Sequence, residues 1–98
     1  MASRKEYLDY VLEQFSDLEG VTHRAMMGEY LLYVGGKLVG GVYDDRLLVK
    51  PTRAALALLP EAPREQPYPG AKELLLVEAM EDRDFLTELF TALGEEKK

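Results

Sequence analysis

Between His23 and Pro51 the chain divides itself into short apolar runs with closely spaced turn signals, HRAMMGEYLLYVGGKLVGGVYDDRLLVKP. Gly35–Gly36 separates EYLLYV from KLVGGVY, and Asp44–Asp45 separates KLVGGVY from RLLVK. Each interruption is two residues long and is built from residue types that tolerate positive φ. The runs are rich in β-formers and too short for helices. The pattern dictates consecutive antiparallel strands: VTHRAMM, ended or bent at Gly28, then EYLLYV, KLVGGVY and RLLVK.

Helical periodicity flanks this meander. Ser3 and Glu6 have the spacing of a capping box. Tyr7, Leu8, Val11, Leu12, Phe15 and Leu18 then recur on one helical face. The pattern predicts a helix from about Arg4 to Leu18, stopped at Gly20. After Pro51, Thr52 is placed to cap a short helix, RAALALL, that ends at Pro60. The segment PEAPREQPYPGA holds four prolines, which excludes a helix interior or a central strand and leaves an extended surface strap. ELLLVEA reads as a fifth strand. Asp82 caps a last helix with Phe85, Leu86, Leu89, Phe90 and Leu93 in one stripe, Gly94 as its stop and EEKK as a frayed tail.

The expected fold is therefore α+β. A mainly antiparallel sheet of about five strands, in the order helix, four-strand meander, helix, strand, helix, carries helices packed on it. Ninety-eight residues make one domain, spanning 1–98, and bury about 60–65% of the unfolded surface without metal or disulfide. YLLYV and LLLV place apolar residues on both faces of the sheet. The second face must then be covered by the short helix and the strap, or by a second copy of the chain, so a homodimer is expected.

The composition narrows the function. There is no cysteine, which excludes disulfides, thiol nucleophiles and cysteine-based zinc sites. The start of the chain has no signal-peptide pattern and no run approaches membrane-spanning length, so a cytoplasmic protein is expected, with no membrane partner. The net charge is −6, from 12 Lys+Arg and 18 Asp+Glu, which disfavours direct nucleic-acid binding. Arg24, Lys37, Arg46, Lys50 and Arg53 cluster in sequence, but strand ends and turns account for them.

Catalytic residues are scarce. His23 is the single histidine, and the two serines, Ser3 and Ser16, lie at helix ends rather than in a nucleophile elbow. Asp44 and Asp45 are explained as turn residues. GGKLVGG fits neither a P-loop nor a dinucleotide-binding fingerprint. No cofactor and no enzymatic activity are expected.

Two features remain as candidate sites. Arg24 with Met26, Met27 and Gly28, and Lys50 beyond them, make a candidate partner-binding surface, since methionine suits adaptable contacts. Arg24 also has an expected structural use, pairing with Glu29 or Asp44. The mid-strand glycines Gly40 and Gly41, with Tyr33 and Tyr43, make a candidate ligand pocket, because glycine inside a strand marks a close approach by something. Room for a packed helix or a large side chain is the favoured explanation of that pair, ahead of a ligand.

The ordered set also resembles the signature of the TfoX N-terminal domain family. Arg24 precedes Met26–Met27–Gly28, followed by Leu32–Tyr33, the Gly35–Gly36 turn, the acidic Asp44–Asp45 turn and Leu48–Val49–Lys50. The preceding helix and PYPGAKELLLVEAMEDRDFLTELFTAL fit as well, so the resemblance runs from about residue 3 to 93. It implies a two-layer sandwich like that of secretion chaperones. It also implies a regulatory role, in transcription and competence for DNA uptake, exercised through a protein partner. The family's namesake carries a C-terminal domain, which is not expected in this chain, and no catalytic residue carries over.

Overall fold

The computed structural model describes residues 4–96. Its elements are α1 (Lys5–Gln14), β1 (Val21–Met26), β2 (Glu29–Val34), β3 (Lys37–Tyr43), β4 (Arg46–Val49), α2 (Arg53–Leu58), β5 (Arg64–Glu65), β6 (Leu74–Leu76) and α3 (Arg83–Glu95). Every strand pairing is antiparallel, and the sheet order is β1-β2-β3-β4-β6-β5. The α+β architecture, the meander and the helix order are as the sequence dictates. A sixth strand is added where the proline segment passes β6. It is two residues long and lies at the sheet edge, where prolines on either side cost no ladder bonds.

Three two-residue hairpins build the meander. Val34 pairs with Lys37 around Gly35–Gly36, and Tyr43 with Arg46 around Asp44–Asp45. Met26 pairs with Glu29 around Met27–Gly28. All six turn residues have positive φ, the backbone of a type I′ turn, whose twist matches that of the strands. Glycine and aspartate suit this region. Met27, at φ 52°, does not.

The sheet register sorts side chains onto two faces. Leu32, Val42, Leu47, Val49, Leu75 and Val77 point at the helices and join Leu8, Val11, Phe15, Ala55, Leu86, Leu89, Phe90 and Leu93 in one core. Phe15 stacks on Phe90 with ring centroids 4.1 Å apart, locking α1 to α3. The short helix α2 belongs to this layer, through Ala55 and its packing on α3. It does not cover the second face, because its apolar side is spent on the helix layer.

Helix boundaries differ in three places. Ser3 of the expected capping box lies outside the described residues. The cap of α1 is Arg4, whose own N–H donates to Asp45 Oδ1 at 2.9 Å, so the β3–β4 turn does the work expected of Glu6. The helix ends at Gln14, not Leu18. Arg83 donates to the Glu13 carbonyl and the Ser16 hydroxyl there, while Phe15 and Leu18 still reach the core from a turn. Gly94 lies within α3 rather than stopping it. A Cβ on Gly94 would lie 2.5 Å from Val34 Cγ1, so this glycine lets α3 sit against β2.

Thr52 and Asp82 do cap α2 and α3, accepting from Ala55 N–H at 3.3 Å and Phe85 N–H at 3.0 Å. Beyond α3, Glu96 is tied down rather than frayed. Hydrogen bonds from Thr52 and Ala54 at the start of α2 hold its carboxyl below the usual range, and Lys37 Nζ donates to its carbonyl. Lys97 and Lys98 lie outside the described residues.

Candidate binding cleft

The face opposite the helices is where the candidate residues gather. Residues directly across an antiparallel ladder share a face, so Met26, Glu29, Tyr43 and Arg46 form one transverse row there. Arg24, Leu31, Gly41, Leu48 and Leu76 form the next row. The β4 half of this face is closed by the proline strap. Leu48 is fully buried although it faces away from the helices, and Tyr43 is 7% exposed.

Arg46 holds the strap in place. Its guanidinium is ion-paired to Glu65, donates from Nε to the Tyr43 carbonyl at 3.2 Å, and lies 3.5 Å from the Gln66 carbonyl. Gln66 in turn donates to the Ala71 carbonyl at 2.9 Å and closes the loop. Burial pushes the Tyr43 hydroxyl above its ordinary pKa, and the nearby Tyr68, Glu29 and Tyr33 add to the shift.

Between the strap and the hairpin tips lies a cleft of about 540 Å³. Met26, Met27, Pro67, Tyr68 and Pro69 give it apolar walls, and Glu29, Asp44, Arg46 and Gln66 its polar atoms. Met27 is 95% exposed at its mouth and Tyr68 56%. Glu29 accepts from the Asp44 N–H at 3.2 Å, fastening the β1–β2 tip to the β3–β4 tip.

Of the candidate partner-binding residues, Met26 and Met27 line this cleft and Gly28 shares Met27's turn. Arg24 lies two residues along β1, exposed, on the same face as Met26. It forms no ion pair with Glu29 or Asp44 among the described residues; the ion-paired arginines are Arg4 and Arg46. Lys50 is not brought together with them. It follows β4 at the opposite end of the sheet, three strand spacings, or about 14 Å, across. Two of the five clustered cations are committed elsewhere: Lys37 reaches the end of α3, and Arg46 is neutralised by Glu65. His23 is exposed on β1, with its ring edge-on to Tyr30.

The mid-strand glycines are packed closely against their neighbours. A Cβ on Gly40 would strike the Leu48 carbonyl and Val49 Cα, both backbone of β4. A Cβ on Gly41 would lie 2.5 Å from the Tyr30 carbonyl and 2.8 Å from the Tyr43 ring. Tyr43 therefore fills the space beside Gly41, and Tyr33 lies on the same face near the bare β1 side. The glycines serve close packing, and the open volume is displaced to the strap. Arg46, Gln66 and Tyr68 were legible only as an arginine in a strand and a proline-rich connection. The one sequence signal for the cleft was an aromatic residue held between two prolines, PYP.

A helical layer on one face of an antiparallel sheet, with a strap across part of the other, defines a small α+β domain with a surface cleft. The chain belongs to the TfoX N-terminal domain family, whose model matches residues 13–92. It is 40% identical over 73 residues to a protein of Spirochaeta aurantia described as "Uncharacterized 12.7 kDa protein in trpE 5'region". That alignment covers 74% of this chain and 64% of the relative, so the chain spans just under two thirds of the relative's length. No solved structure matches. Among the described residues no helix is long and apolar enough to cross a membrane.

Proposed function

We propose that this domain acts by binding a protein partner rather than by catalysis, in the regulatory, transcription-linked setting that its family resemblance implies. The observation that carries this reading is Met27. A long apolar side chain is 95% exposed on a backbone of φ 52° that glycine or asparagine would adopt at less cost. Strain of about 1–2 kcal/mol at an exposed hairpin tip contributes nothing to packing. It is consistent with a side chain presented to something outside the molecule. Methionine repacks readily against different surfaces, which suits that use.

Affinity capture from a cell lysate, with mass spectrometry, tests the reading using wild type, Arg24→Ala and Met27→Gly. A specific partner held by wild type and lost from folded Met27→Gly supports it. Equal capture by both variants removes the tip and β1 from consideration.

Self-association is the second part of the reading. The half of the second face away from the strap is bare, with Met26 39% exposed on β1, Leu38 37% exposed at the start of β3 and Leu31 of β2 between them. A homodimer would cover this half as the strap covers the other. Sedimentation velocity of wild type and Leu38→Glu tests it, and a monomeric wild type at high concentration ends this part.

A further inference from the structure

We propose that the cleft between the Met27–Gly28 turn and the proline strap takes a basic side chain, an arginine or a lysine, from a protein partner. This inference rests on the protein-binding reading and names the chemistry of what is bound.

The walls fit the stem of such a residue. Met26, Met27, Pro67 and Tyr68 present thioether, ring methylene and aromatic surface, against which three or four methylenes can lie. The exposed Tyr68 ring offers a cation a face as well. The charges in the cleft then choose the sign of the ligand. Arg46 is its cation, and it is already committed to Glu65, the Tyr43 carbonyl and the Gln66 carbonyl. An anion would have to share this guanidinium with Glu65, already its counter-charge. Asp44 supplies a carboxylate to the cleft, and Glu29, which accepts from the Asp44 N–H, adds negative charge beside it. Only the backbone N–H of Asp44 is used in holding the turns together, so its own carboxylate is left to face a ligand. A net charge of −6 favours the approach of a basic partner and disfavours an acidic one.

The test uses two short capped peptides that differ in charge alone, acetyl-Gly-Arg-Gly-amide and the same peptide with citrulline, titrated into ¹⁵N-labelled protein. The arginine peptide is expected to shift the amides of Met27, Gly28, Asp44 and Tyr68, weakly and with a response that fades as salt is added. The citrulline peptide, and Asp44→Asn with the arginine peptide, are expected to bind about three-fold more weakly or worse. Asp44→Asn is a clean variant, because asparagine also adopts the positive φ of this turn. Equal binding of the two peptides, shifts elsewhere on the sheet, or no shifts into the millimolar range would each overturn the inference. Loss of a captured partner from Met27→Gly with no difference between the peptides would leave protein binding intact and reject only the basic ligand.

Discussion

Met27 and the buried glycines carry opposite kinds of information at the residue scale. At Met27 the side chain is wrong for the backbone, so a residue that relieves the backbone should stabilise the fold. Met27→Asn is expected to raise stability by about 1 kcal/mol, read as a higher denaturant midpoint at unchanged slope. The same variant is expected to weaken partner capture, the usual exchange between stability and function. At Gly40 and Gly41 the backbone is ordinary and the space is missing. Gly40→Ala would drive a methyl group into the β4 backbone, and Gly41→Ala into the Tyr30 carbonyl and the Tyr43 ring. Each should cost about 1–3 kcal/mol, measured by denaturant unfolding. Gly94→Ala should also destabilise, since its methyl group would meet Cγ1 and Cβ of Val34, a stiff β-branched side chain, although alanine's helix preference offsets part of the cost. The glycine pair was legible in the sequence as a close approach. What approaches was not, because that depends on which strand lies alongside. Met27 was legible as a turn neighbour but not as a left-handed residue, since Met-Gly lacks the composition of a type I′ turn.

Among the elements, the ties that matter join an end of one to the middle of another. Asp45 accepts from the Arg4 N–H and from Arg4 Nε, both at 2.9 Å, and so anchors the start of α1 to the β3–β4 hairpin. These bonds, the backbone one first, hold the Asp45 carboxyl below its usual range. A carboxyl whose pKa is lowered on folding stabilises the fold at pH values above its unfolded pKa. That contribution disappears as the pH falls through the folded value. Wild type should therefore melt above Asp45→Asn near neutrality, and the gap should narrow as the pH is lowered through and below the ordinary carboxylate range, asparagine being suited to the positive φ of this turn. A gap of constant size across that range would show that Asp45 acts through shape alone. The strap has its own tie in Arg46. Arg46→Ala should cost about 1 kcal/mol of stability. It should also speed amide exchange in the strap and at Leu48 far more than in α3. Neither tie could be read from the chain. Asp45 and Arg46 looked like a turn residue and the first residue of a strand, and their partners lie 41 and 19 residues away. The cap residues Thr52 and Asp82 were legible, because their partners lie three residues along the same segment.

For the molecule as a whole, the fold class was readable because periodicity and turn chemistry agree along nearly all of the chain. The cleft was not, because it lies between a hairpin tip and a strap separated by some forty residues of sequence. The apolar character of both sheet faces was a sound signal, and it finds two different outlets. Over β4 and the end of β3 the strap meets it, and over β1, β2 and the start of β3 it stays at the surface, with Met26 and Leu38 exposed. Replacing Leu38 by glutamate should leave the unfolding midpoint within about 0.5 kcal/mol of wild type, since the site is at the surface. Any change in sedimentation of this variant would then report on association alone.

The three two-residue hairpins also bear on the order in which the molecule forms. They join strands that are adjacent in the chain, as in Met26↔Glu29, Val34↔Lys37 and Tyr43↔Arg46, and closing such short loops costs little chain entropy. The Leu48↔Leu76 pairing that seats β6 must wait for a much longer loop to close. A meander that condenses early would place its turns in the folding nucleus. Met27→Asn should then quicken refolding and leave the unfolding arm of the chevron nearly unchanged. The strap, which lies between β4 and β6, would be among the last segments to settle. The cleft would exist only in molecules that have completed the rest of the fold.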